Sequence, residues 1–215
     1  MKAVQLSEHG DTDLLKIVDV DEPEIKKPTD VKVKLKAAGV NPLDTKLRAG
    51  AYPILTFPAI LGSDGAGIIE ACGSDVSRFK EGDEVYFFSG GISSVQGNYA
   101  EYKVLNERFV THKPKSIDFN HAAAAPLVLL TAWEALFDRA KLEKDETIFI
   151  NAGAGGVGHI AIQLAKAIGA KVCTTISDNE KAKFVKVLGA DFIIPNGAGQ
   201  FIYNLNIPLC LVSFV

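Results

Sequence analysis

The sequence predicts an α/β protein whose first 120 or so residues are β-rich and whose remainder is part of a doubly wound parallel sheet. Three observations carry this. Val31, Val33 and Leu35 alternate with Lys32, Lys34 and Lys36, the period of a strand with one wet face. Short β-branched runs in the first half are separated by glycine, proline and aspartate, as in Gly62-Ser63-Asp64-Gly65 and Glu81-Gly82-Asp83, a pattern of barrels and sandwiches. From Thr147 onward, strand runs alternate with helical stripes, which requires a parallel sheet.

In chain order, strands are expected at Ala3–Leu6, around Val31–Leu35, and at Gly65–Ala71, Glu84–Phe88 and Tyr99–Val104. Ala122–Asp138 reads as a helical hairpin or bent helix, which puts a domain boundary near Asp118–Ala122. Ile148-Phe149-Ile150 reads as a short buried strand. Gly153, Gly155 and Gly158 then stand in G-x-G-x-x-G spacing with Ala154, Gly156 and Val157 between them. Val157, Ile160, Ala161, Leu164, Ala165 and Ile168 follow at helical spacing, and Gly169 is placed to end the helix. A second unit runs from strand Val172–Ile176 through a helix with stripe Ala182, Val185 and Leu188, closed by Gly189, to strand Phe192–Ile194. Ser177 and Glu180 have capping-box spacing, so the helix is expected to start at Ser177. One further strand is expected at Leu209–Val215.

Strand, glycine turn and helix in that order is the context a dinucleotide fingerprint needs. The first glycine permits the turn, the second lets backbone approach a pyrophosphate, and the third lets helix and sheet pack closely. The helix N-terminus offers N–H donors and a favourable dipole to the anion. An ordinary glycine-rich turn in a βαβ unit is the plainer alternative.

Composition narrows the remaining classes. A net charge of −3 with 23% charged residues gives no reason to expect nucleic acid or an anionic membrane as partner. Cys72, Cys173 and Cys210 are widely spaced and odd in number, which argues against a disulfide framework or cysteine zinc site. The N-terminus has no apolar run suited to a signal peptide, and Pro126 breaks the most hydrophobic segment well short of the ~20 residues of a membrane span. The expectation is a cytoplasmic protein.

Several separated motifs in one order resemble the medium-chain dehydrogenase/reductase superfamily. GVNPLDTKLRAGAYP (39–53), FPAILGSDGAGII (57–69), GNYAEY (97–102) and LLTAWEAL (129–136) are similar to its zinc-independent quinone oxidoreductase branch, as is the glycine turn. The resemblance covers residues 1 to about 194. It implies a GroES-like β-barrel catalytic or substrate domain over 1–120 and a partial NADP-binding Rossmann domain over 121–215. Zinc-dependent members carry a cysteine where this chain has Asn41 and a His-Glu pair where it has Ser63-Asp64. An amide and a hydroxyl cannot replace a thiolate and an imidazole as zinc ligands, so no zinc is expected.

The resemblance further implies an NADPH-dependent hydride transfer to a quinone or an α,β-unsaturated carbonyl. Asn41 and Thr131 would line the nicotinamide end, Tyr52 would sit over the acceptor, and Asp44 would be an orienting partner. Gly153, Ala154, Gly155, Gly156, Val157 and Gly158 would hold the diphosphate. An NAD-specific site puts an acid at the end of the second strand, where this chain has Ile176 and Ser177. Lys181 stands where related reductases carry a base for the 2′-phosphate. Plainer readings stand beside these: Asn41 before Pro42 could cap a turn, Thr131 could bond back to its own helix, Tyr52 could be a turn aromatic, and Lys181 with Lys183 could form a wet helix face. After Ile194 the sequence departs from the family. A truncated or frame-shifted product or a fragment is the expectation, lacking the rest of the nicotinamide pocket and the usual edge of a homo-oligomer. The alternative function is a catalytically silent NADPH-binding or structural homologue.

Overall fold

A computed structural model describes residues 1–92, 95–196 and the backbone of 210–212. The chain divides into two units, residues 1–127 and 128–215.

The first unit is built from two antiparallel sheets. Strands β1 (Lys2–Leu6), β2 (Leu15–Asp19) and β4 (Ala59–Ile60) form one in the order β2-β1-β4. Strands β3 (Asp30–Ala38), β5 (Asp64–Cys72), β6 (Glu84–Phe88), β7 (Tyr102–Asn106) and β8 (Val110–His112) form the other in the order β7-β3-β5-β6-β8. A bridge between Ala3 and Ala100 joins them, and this linkage makes the unit barrel-like. The alternation expected in β3 is real: Val31 and Val33 are fully buried in a cluster with Ile69, Val85, Phe87 and Leu105, while Lys32 turns outward to Glu22 and Glu70. The strand expected at Tyr99–Val104 starts later, at Tyr102. Residues 97–101 instead bond across to Ile60, Gly62, Leu61 and Lys2 and make the corner between the sheets. Lys103 breaks the apolar pattern. It pairs with Val33 in the ladder, its ammonium donates to the Gln96 carbonyl, and burial pushes its pKa down to about 8.

Helices α1 (Pro42–Arg48) and α2 (Phe119–Ala124) belong to this unit, α2 packing Ala122 and Ala123 against Ala66 of β5. Helix α3 (Pro126–Trp133) follows at once and runs into a π-helical turn, Glu134–Arg139. The bend foreseen between Ala122 and Asp138 falls at Pro126, whose missing N–H ends α2 and whose fixed φ starts α3.

The second unit is a parallel sheet, β11-β10-β9-β12, made of β9 (Thr147–Ile150), β10 (Lys171–Ile176), β11 (Phe192–Pro195) and β12 (Cys210–Val212). Only these three residues of the strand expected at Leu209–Val215 lie within the described residues. Helix α4 (Gly156–Ala167) follows β9 and α5 (Asn179–Val187) follows β10. Both end as expected: Gly169 and Gly189 take φ of +88° and +100°, the left-handed region open to glycine. The α4 face is turned slightly from the expected stripe, with Gly158, Ala161, Ile162 and Ala165 buried and Val157, Ile160 and Leu164 at its margins. Helix α5 starts one residue later than the capping-box spacing predicts. Asp178 is the N-cap, its Oδ1 accepting from Lys181 N at 2.9 Å, because a carboxylate caps and also complements the helix dipole.

Ile162 is fully buried among Ile150, Val172 and Val185. Ile162→Ala should therefore lower the free energy of unfolding by about 2–5 kcal/mol in a denaturant titration. A loss below about 0.5 kcal/mol would mean that α4 does not pack on the sheet through this face.

Candidate active site

The turn between β9 and α4 is set by contacts that only glycine allows. A Cβ on Gly153 would run into Thr174 Oγ1 and lie 2.9 Å from Ile162 Cδ1. One on Gly158 would collide with the Ala152 carbonyl and lie 2.8 Å from Gly153 Cα. Two β10 threonines hold the turn from beneath: Thr175 Oγ1 accepts from Ala152 N at 2.9 Å and donates to Asn151 Oδ1 at 2.6 Å, while Thr174 Oγ1 donates to the Ile150 carbonyl at 2.7 Å. Ala152 is thereby kept at φ +54°, which a residue with a Cβ seldom adopts.

Gly155 and Gly156 are different. A Cβ on Gly155 would meet only the Ala152 carbonyl, at 3.1 Å, and one on Gly156 only Val128 Cγ1, at an ordinary 3.5 Å. The protein itself has little need of a glycine at 156, whereas a Cβ at 155 would press on the Ala152 carbonyl. Gly155 is the N-cap of α4, no side chain caps it, and the first turn holds no acid. The result is a helix start with its N–H donors and positive dipole end left for an anion. Beside it lies a groove of about 400 Å³ lined by Ala152, Ala154, Gly155, Thr175, Ile176, Ser177, Lys181 and Asn196. Thus Ala154 and Gly155 of the fingerprint come together with Ser177 and Lys181, while Gly153, Gly156, Val157 and Gly158 do not line the groove. Thr175 and Asn196 are not evident from the sequence pattern. The paired Thr174-Thr175 at the end of an apolar strand is the one available signal for the first; Asn196 offers none.

In the first unit, two buried carboxylates clamp Asn41. Asp44 Oδ2 accepts from Asn41 N at 2.8 Å and from the Tyr99 hydroxyl at 3.0 Å, and its Oδ1 accepts from Gly62 N at 3.3 Å. Asp64 Oδ2 accepts from Asn41 Nδ2 at 2.9 Å, while Oδ1 accepts from Leu127 N at 2.9 Å. Asn41 does occupy the N-cap of α1, but its amide nitrogen is committed to Asp64, which fixes the direction of the side chain. Burial pushes the Asp64 carboxyl up to about 6, against the pull of the Asn41 and Leu127 donors, and Asp44 adds like charge. Burial, then the Asp44 charge, also raises the Tyr99 phenol. Ser63, beside Asp64, is fully buried, and its Oγ has no hydrogen-bond partner among the described residues. Tyr52 lies in the loop after α1, 46% exposed. Thr131 sits on the exposed side of α3. The family resemblance singles out Asn41 and Asp44 but not Tyr99, although it lies in the GNYAEY motif, and marks Asp64 only as a lost zinc position. Among the described residues no three His, Cys, Asp or Glu side chains gather to hold a metal, and no helix is long and apolar enough to cross a membrane.

The raised Asp64 pKa has a definite sign. The folded state holds this proton more tightly than the unfolded one, so its stabilisation is full below about pH 4 and is lost as pH rises through about 6. The stability difference between the unaltered chain and Asp64→Asn should accordingly shift toward the variant by about 1–3 kcal/mol between pH 4 and pH 7. A difference independent of pH would place the Asp64 titration elsewhere.

Family comparisons agree with this geometry. Residues 27–115 match the alcohol dehydrogenase GroES-like domain, and residues 156–203 match a family described as zinc-binding dehydrogenase. The chain is 41% identical over 189 residues to a quinone oxidoreductase of Pseudomonas aeruginosa, covering 88% of this chain and 57% of the relative. It is 39% identical over 205 residues to an NADPH-dependent alkenal/one oxidoreductase of Arabidopsis thaliana, covering 90% of this chain and 52% of the relative. It therefore spans little more than half the length of these curated relatives. The solved quinone oxidoreductase of Coxiella burnetii superposes with a TM-score of 0.89 at 34% identity, over 100% of this chain and 68% of that one. With a GroES-like barrel unit followed by a Rossmann-type parallel sheet, the chain belongs to the medium-chain dehydrogenase/reductase superfamily, in its quinone oxidoreductase-like branch.

Proposed function

We propose that this protein is a zinc-independent, NADPH-dependent reductase of quinones or α,β-unsaturated carbonyls, with a substrate-side domain over 1–120 and a cofactor-side domain over 121–215. The observation that carries it is the start of α4, capped by no side chain, at Gly155, which lines one groove with Ser177 and Lys181. A glycine that packing does not require, as at 156, is explained by a phosphate coming close. The names of the P. aeruginosa and A. thaliana relatives, one a quinone and one an NADPH-dependent alkenal/one oxidoreductase, support the same class.

In this reading Gly153, Ala154, Gly155, Gly156, Val157 and Gly158 hold the diphosphate, and Ser177 and Lys181 hold the 2′-phosphate. Reduced nicotinamide supplies a hydride when bound. Asn41 and Thr131 would orient the nicotinamide end, Asn41 being held by the Asp44 and Asp64 carboxylates. Positioning of this kind contributes by keeping donor and acceptor at attack distance. The half-exposed Tyr52 would hydrogen-bond the acceptor oxygen, where negative charge grows as the hydride arrives. At the positions where zinc-dependent members hold cysteine and histidine, Asn41 and Ser63 offer an amide and a hydroxyl, a poor donor set for zinc. An acceptor that is already electrophilic needs no Lewis acid. Quinones and enones are of this kind.

Two measurements test the proposal. NADPH should bind more tightly than NADH, and NADPH should be consumed steadily in the presence of a small quinone; equal affinity would refute the cofactor assignment, and binding without turnover would favour a catalytically silent homologue. Tyr52→Phe should lower turnover about tenfold or more while leaving NADPH affinity intact. Unchanged turnover would remove Tyr52 from the mechanism.

A further inference from the structure

Three side chains where the chain passes from β10 into α5 form a closed set: Ser177 after the strand, the N-cap Asp178, and Lys181 in the first turn of the helix. Ser177 Oγ donates to Asp178 Oδ2 at 2.9 Å, and Lys181 Nζ donates to Ser177 Oγ at 2.6 Å. Lys181 Nζ also lies 3.3 Å from Asp178 Oδ2. The two charges are not equally mobile. Asp178 is pinned by the helix it starts, since its Oδ1 accepts from Lys181 N at 2.9 Å. Lys181 carries its charge on a flexible stem, with its side chain 51% exposed. Ser177 and Lys181 line the groove beside Gly155, and Asp178 does not.

An acid at the end of the second strand favours a nucleotide with a free ribose 2′-OH, and a cation there favours a 2′-phosphate. Here both signs stand within one ion pair. An incoming 2′-phosphate would meet a lysine already partly neutralised and a fixed carboxylate of its own sign, whereas a nucleotide with only a 2′-OH would feel neither cost. We infer that Asp178 is a specificity-determining residue that narrows the preference of this groove for 2′-phosphorylated nucleotides, so that the protein takes NADH as well as NADPH, with NADPH ahead by a margin Asp178 sets. The inference rests on the reading of the groove as an NADPH site.

The test uses the full chain and two small probes that need only this end of the groove, 2′,5′-ADP and 5′-AMP, titrated calorimetrically. Asp178→Asn and Asp178→Ser both keep a capping oxygen and lose the charge, and thermal melts verify that each remains folded. Both variants should bind 2′,5′-ADP about three- to tenfold more tightly, with 5′-AMP unchanged. The gain should shrink in roughly 1 M salt, where the screening length falls to about 3 Å. In a Lys181→Met background the gain from removing the carboxylate should persist in sign while overall 2′,5′-ADP affinity falls. If neither variant gains affinity for 2′,5′-ADP, or if both lose affinity for 5′-AMP because Asp178 holds the ribose, the inference is overturned and the groove remains a nucleotide site. If neither probe binds the unaltered chain, the reading of the groove itself fails.

Discussion

The second unit depends on one steric constraint: the turn from β9 into α4 has no room for a side chain at Gly153 or Gly158. A Cβ on Gly158 would collide with the Ala152 carbonyl and Gly153, and one on Gly153 would collide with Thr174 of the neighbouring strand and press on Ile162, so a side chain at either would push the helix and sheet apart. Their approach brings Ala161, Ile162 and Ala165 down onto Ile148, Ile150 and Val172, and burial of that apolar face stabilises the unit. The same approach forces Ala152 into a left-handed conformation, which the Thr175 hydroxyl holds from the next strand. Packing and site are thus one feature. The tight turn that closes the core is also what leaves the N-terminus of α4 uncapped beside a groove.

The barrel unit solves a different problem, how to fix a neutral amide inside a protein. Asn41 is gripped at its backbone nitrogen by Asp44 and at its side-chain nitrogen by Asp64, and each carboxylate has a further donor, Tyr99 and Gly62 for one, Leu127 for the other. Two buried acids a short way apart repel, and the rise of Asp64 to about 6 expresses its burial together with that cost.

Much of this is legible in the sequence because it rests on local rules. The alternation of Val31 to Lys36, the spacing of Gly153, Gly155 and Gly158, and the stops at Gly169 and Gly189 each follow from backbone geometry over a few residues. What escapes is decided at long range. The corner at residues 97–101 bonds to Ile60, Gly62 and Lys2 rather than extending β7, and Lys103 lies buried because Val33 of a distant strand faces it. The role of Asp64 needs Asn41 and Leu127, 23 and 63 residues away, to be brought beside it. At α5 the spacing points to Ser177 as the cap, but the charged acceptor next to it, Asp178, takes the position.

The most direct test of the central claim, that the start of α4 and the end of β10 together bind a dinucleotide, is amide chemical-shift mapping during a titration with NADPH. The largest changes are expected at Gly153 through Gly158, Ser177 and Lys181, with Ile162 and the barrel strands β6 and β8 little moved. Changes centred elsewhere, or none at millimolar NADPH, would contradict it.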